Sequence, residues 1–246
     1  MANPIVKPLL LAGMLAAVAS PAYAVLKISA DINGSLFTCV DNNILCDIDP
    51  AVGSLQLANG TIGGVEVKGS LQEQGIGTGP NADFLNASSL QVINHNAFTV
   101  PITVAVSGTD FLGPVTGFSA SGGGTAQSAI GSTLTLNFYG DTANDQGADN
   151  PNDTPGVLLA TSGLNTATLA TQSFSFNASG PFAAAGPFSF TVWASGDLTA
   201  GGRLVNRGQT IVAQVPEPGS LLLLGGALVG LGALAGRRRR RTAAAD

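Results

Sequence analysis

The side chains able to do chemistry are few, and most lie in two acidic stretches. Cys39 and Cys46 are the only cysteines. In an oxidising compartment a disulfide closing so short a loop stabilises by roughly 2.5 kcal/mol in the chain-entropy model. The alternatives are a metal thiolate pair or a redox switch, but further ligands are lacking and the spacing is not C-x-x-C. Asp41, Asn42 and Asn43 lie inside this loop, with Asp47 and Asp49 just after it. The second stretch, 140–156, contains Asp141, Asp145, Asp149 and Asp153 among three asparagines. Clustered hard oxygens of this kind can ligate Ca²⁺, although no glutamate closes an EF-hand spacing. Polar turns use the same residues for backbone reasons alone. Ca²⁺ is the one cofactor these residues suggest, through Asp141, Asp145, Asp149 and Asp153.

Enzyme constellations are scarce. His95 is the single histidine, in Asn94-His95-Asn96 ahead of an apolar run, and reads as a turn residue. There is no G-x-S-x-G and no H-E-x-x-H. Paired carboxylates that cut sugars need a cleft and usually aromatic platforms, and here only Trp193 and Tyr139 stand outside the phenylalanines and the N-terminal stretch. A non-catalytic protein is the expectation.

The elements that must carry these residues are strands. Phe98 to Val106, Thr133 to Tyr139, Ser173 to Phe176 and Phe188 to Trp193 alternate apolar and polar residues with period two. Shorter candidates are 25–28, 65–67, 89–93, 157–160 and 209–215, separated by clusters rich in Gly, Asn, Asp and Ser. No segment shows an amphipathic helix of three turns. Many short strands with such connections predict an all-β antiparallel sandwich, jelly-roll or immunoglobulin-like. Pro101 marks an edge or bulge in its strand, and Ser121-Gly122-Gly123-Gly124 reads as a flexible loop. All 11 phenylalanines fall in this region and supply core bulk.

Charge narrows the partners. Charged residues make up 10% of the 246, against about 25% in ordinary globular proteins. Residues 25–214 carry four basic side chains against thirteen acidic ones, a net of −9. Nucleic acid is therefore excluded, since phosphate binding needs a basic face.

The two ends read as addresses. Residues 1–24 hold Lys7, an apolar run from Leu9 to Ala19 and Ala22-Tyr23-Ala24, the pattern of a secretory signal peptide cut after Ala24. At the other end Pro216-Glu217-Pro218 precedes the apolar run Leu221 to Ala235 and then Arg237, Arg238, Arg239, Arg240 and Arg241. Gly219 to Gly236 would make roughly 27 Å of helix, enough for a thin bilayer. The arginines would hold that end in the cytoplasm.

A proline–glutamate motif, an apolar helix and an arginine cluster, in that order, resemble the PEP-CTERM sorting signal of exported bacterial proteins. The resemblance covers Val215 to Asp246. It implies recognition of Pro216, Glu217 and Pro218 by an exosortase, a membrane-embedded transpeptidase, with Leu221 to Ala235 as the span and Arg237 to Arg241 as the stop-transfer cluster. The expected organisation is a signal peptide (1–24), an exported β-sandwich (25–214) and a sorting signal (215–246) with a transmembrane helix. Signal peptidase and the Sec translocon, the inner membrane before processing, exosortase and exopolysaccharide are the expected partners. The product would be a cell-surface or biofilm-matrix protein. The alternative is an extracellular adhesin that binds calcium or carbohydrate.

Overall fold

The computed structural model describes residues 25–74 and 84–214. The expected signal peptide, Pro216, Glu217, Pro218, the apolar span and Arg237 to Arg241 lie outside the described residues. Among those described there are fourteen strands and no helix. They are β1 (Lys27–Ile32), β2 (Ser35–Val40), β3 (Ser54–Gln56), β4 (Gly60–Ile62), β5 (Val65–Gln74), β6 (Phe84–Asn94) and β7 (Val100–Phe111). The rest are β8 (Val115–Gln127), β9 (Thr133–Asp141), β10 (Val157–Thr161), β11 (Asn165–Thr166), β12 (Thr171–Ala184), β13 (Phe188–Leu198) and β14 (Arg203–Gln214).

Two antiparallel sheets result. The first has the order β10-β9-β13-β7-β1-β2, with β11 also on β9; the second has the order β12-β8-β14-β6-β5-β3, with β4 also on β5. From β6 onward the chain passes repeatedly from one sheet to the other, so both sheets are stitched from distant sequence. Three of the alternating runs seen in the sequence fall within a strand, and the fourth, Phe98 to Val106, enters β7 at Val100. In β9 the buried residues are Leu134, Leu136 and Phe138, every second position, as a half-buried strand requires.

Side-chain size divides the space between the sheets. At one end Phe111, Phe182, Phe188 and Phe190 pack together with ring centroids 5.1 to 5.6 Å apart. Near the middle Phe138 stacks on Phe176 at 5.8 Å. Toward the other end the buried positions are Leu90, Val92, Val104, Ala126 and Ala194. These fill less, and the sheets do not close completely there. Strand β14 runs the whole length, with Arg203 at the open end and Gln214, opposite Gly117, at the aromatic end.

Two expectations are corrected. Ser121 to Gly124 is no loop: it lies in β8, paired on both sides with β12 and β14. A Cβ on Gly122 would stand 2.7 Å from Leu136 Cδ1, so a bare backbone lets the opposite sheet's large side chains seat. Pro101 marks neither an edge nor a bulge. It is the second residue of β7, an interior strand, placed where the β1 ladder has already stopped at Ile102. Its missing N–H is therefore not needed on that side.

Candidate functional site

The incomplete closure leaves a cleft of about 240 Å³ between the sheets at the open end. Its floor is Leu90, Val92, Val104 and Leu198, all buried. Thr166, Ser173 and Ser175 are exposed lining residues and place the mouth along β11 and β12. Asp197 is the one charged residue on the lining. The polar rim is largely committed to itself. Asn165 Nδ2 donates to Leu134 O at 3.3 Å and to Ser162 Oγ at 3.2 Å. Gln172 Oε1 accepts from Thr168 N at 2.7 Å, and Ser132 Oγ meets Thr199 Oγ1 at 3.0 Å. Such a site suits neutral apolar groups: it offers aliphatic contact and no charge in its floor.

The 140–156 stretch lies across the outer face of the first sheet. Trp193 Nε1 donates to Pro151 O at 3.0 Å, Gly147 N to Ser107 Oγ at 3.0 Å and Ser189 Oγ to Asp145 O at 2.7 Å. Three of the four aspartates proposed for Ca²⁺ are used separately. Asp141 accepts from Ala143 N at 3.1 Å and Asp145 N at 2.9 Å; Asp153 accepts from Asp149 N at 3.1 Å; Asp149 pairs with Lys27. Asp141, Asp145, Asp149 and Asp153 do not converge, and among the described residues no three His, Cys, Asp or Glu are grouped to hold a metal ion. Asp141 and Asp153 answer the donors of an irregular backbone, and Asp149 answers Lys27.

Cys39 and Cys46 form a disulfide, with Cα atoms 5.9 Å apart. The loop they close is fixed further by Asp47, whose buried carboxylate accepts from Asn42 N at 2.9 Å, Asp49 N at 3.0 Å and Gln56 N at 2.9 Å. Asp41 accepts from Gly53 N at 2.8 Å, and Asp49 from Ser54 Oγ at 2.7 Å. The sequence reading missed Asp47 as an organiser; its place next to Cys46 was the available signal. Asp47→Ala strands three backbone donors and is expected to cost about 3 kcal/mol, read as a lower denaturant midpoint with the disulfide still formed.

His95 lies in the β6–β7 connection, half in solvent, with Nε2 3.1 Å from Glu66 Oε2. Lys68 Nζ sits 2.5 Å from Glu66 Oε1. Lys68, and then His95, hold the Glu66 carboxyl below its usual value. The Ser54 hydroxyl and the Ala51 N–H do the same for Asp49. Burial pushes Asp41 up, against the Gly53 N–H, and repulsion from Asp47 adds to it. A depressed carboxyl stabilises above its unfolded value and loses that contribution as pH falls through the folded one. Asp41 acts oppositely, losing its contribution as pH rises through its raised value. Glu66→Gln should therefore melt slightly below the wild type at neutral pH and coincide with it in acid, as followed by thermal melts across pH.

No curated protein matches this chain. Similar solved structures include TmCBM61 in complex with β-1,4-galactotriose, 12% identical over 61% of this chain and 90% of that one, with a TM-score of 0.27. Another is the CBM22-1 xylan-binding domain of Paenibacillus barcinonensis Xyn10C, at 13% identity, 68% and 89% coverage and TM-score 0.30. A third is infectious bursal disease virus Gx strain, at 16%, 79% and 57%, and 0.32. At these TM-scores the likeness carries no argument about a ligand. The tail is different: residues 214–241 match the PEP-CTERM protein-sorting motif, so the chain carries that sorting motif.

Proposed function

We propose that this is an exported, non-catalytic protein whose sandwich, residues 25–214, reaches the cell surface or exopolysaccharide matrix once exosortase has cut at Pro216-Glu217-Pro218. The observation that carries this reading is the match of residues 214–241 to the sorting motif, which follows a β-sandwich described up to Gln214. A cleft floored by aliphatic side chains, with one carboxylate on its lining, supports a role in contact rather than in bond breaking.

Intact-mass measurement on fractionated cells tests the proposal. With an active exosortase, the expected product starts at Val25, ends within a few residues of Gln214 and leaves the inner membrane. Without the enzyme, a chain retaining its arginine cluster stays in that membrane. A full tail on protein recovered from the surface of exosortase-positive cells would overturn the reading.

A further inference from the structure

The loop closed by Cys39 and Cys46 turns its apolar residues into water. Ile44 is 91% exposed and Leu45 89%, with Ile48 and Val52 more than half exposed beside them. The tip is rigid: the disulfide, the Asp47 carboxylate and backbone bonds such as Cys46 N to Asn43 O at 2.9 Å hold it out. Adjacent large aliphatic side chains displayed in this way mark a contact site.

The cleft has the matching chemistry. Its floor is Leu and Val, and exposed Leu164 and Leu169 adjoin the lining residues Asn165, Thr166 and Ala167. A cavity of about 150 Å³ lined by such residues holds a benzene ring. At 240 Å³ this one has room for two aliphatic side chains. Charge agrees as well. Residues 154–196, which build β10, β11, β12 and most of β13, contain no Asp, Glu, Lys, Arg or His. In a domain of net −9, that side is the one an acidic loop can approach without broad repulsion. The Asp41, Asp47 and Asp49 carboxylates beside the tip accept bonds from their own loop.

The two features lie on opposite sides. The tip joins β2 to β3, the outer strands of the two sheets on one side; the mouth lies along β11 and β12 on the other. We propose that the Ile44–Leu45 tip of one copy inserts into the cleft of the next, joining copies head to tail. Such a contact is heterologous: each copy keeps one free tip and one free cleft, and growth is open-ended. The contact lies wholly within residues 25–214, so it stands or falls apart from the processing of the tail.

The test is sedimentation of protein recovered from exporting cells, or of the full chain in nanodiscs if it is uncut. Wild type should form a ladder of species that lengthens with concentration. Ile44→Asp with Leu45→Asp removes the tip, and Ala194→Phe fills the cleft; each should weaken association at least tenfold and leave monomers. Ala126→Leu is a second cleft variant should Ala194→Phe fail to fold, as judged by its melting curve. Mixing the tip variant with the cleft variant should give one-to-one dimers and nothing longer, since only one tip and one cleft remain. Dithiothreitol, by releasing the tip, should shorten the wild-type ladder. Wild type that stays monomeric at millimolar concentration overturns the proposal, as does a mixture that stays monomeric or association that survives both variants. A monomeric wild type whose cleft takes up octyl glucoside overturns it too, and assigns the cleft to a free amphiphile.

Discussion

Cells making the chain with Pro216, Glu217 and Pro218 all changed to alanine are expected to lose nearly all released product and to retain the uncut chain in the membrane fraction. Two prolines around Glu217 fix the backbone near an extended conformation and remove amide donors, so the segment cannot join a ladder or extend a helix. A protease needs that kind of strand, free of other partners. Alanines restore the donors and lift the restriction on φ, so nothing holds the scissile region extended. The sandwich should melt at an unchanged temperature, because the substitutions leave every described strand pair intact, that of Gln214 with Gly117 of β8 included. Glu217→Gln, which keeps both prolines, separates recognition of the charge from the need for an extended backbone. Release of correctly cut product from the triple variant would show that the tail is read elsewhere.

The second large effect is expected at Gly196. A Cβ there would collide with the carbonyl oxygen of Thr133 and stand 3.0 Å from Leu134 Cα, both backbone atoms of β9. Strand β13 is held between β7 and β9, so it cannot back away without spoiling one ladder to relieve the other. Gly196→Ala should cost about 3 kcal/mol, toward the upper end for overpacking. For a domain of this size that corresponds to a drop in Tm of roughly 6–12 °C. Gly186→Ala is the control: nothing lies within 4 Å of its Cβ position, and its melting temperature should barely move. Calorimetry on the two variants decides it; equal Tm values would mean that β9 yields at no cost.

Much of the fold was legible because alternation is a local property. Phe188 to Trp193 or Thr133 to Tyr139 reveal their faces without knowing what lies opposite. Strand β8 was illegible for the converse reason. Gly122, Gly123 and Gly124 carry no side chains to alternate, and the Leu136 side chain that Gly122 accommodates comes from another strand. The disulfide could be read from spacing and compartment, but the role of Asp47 depends on three donors brought in by the fold of the loop. The cleft could not be read at all. It arises from the contrast between four phenylalanines at one end and small aliphatic residues at the other, drawn from strands more than a hundred residues apart. The 140–156 aspartates are ambiguous in sequence because a metal loop and an irregular backbone ask for the same oxygen-bearing side chains.

The late position of β13 and β14 bears on the order in which the domain can fold. Each becomes the inner member of its sheet, β13 between β7 and β9, β14 between β8 and β6. Until residues 188–214 are available, both sheets are split into fragments that cannot bury their faces. Tertiary structure can therefore snap shut only once the rest of the domain has been made. Placing the keystones last ties closure of both sheets to completion of the domain.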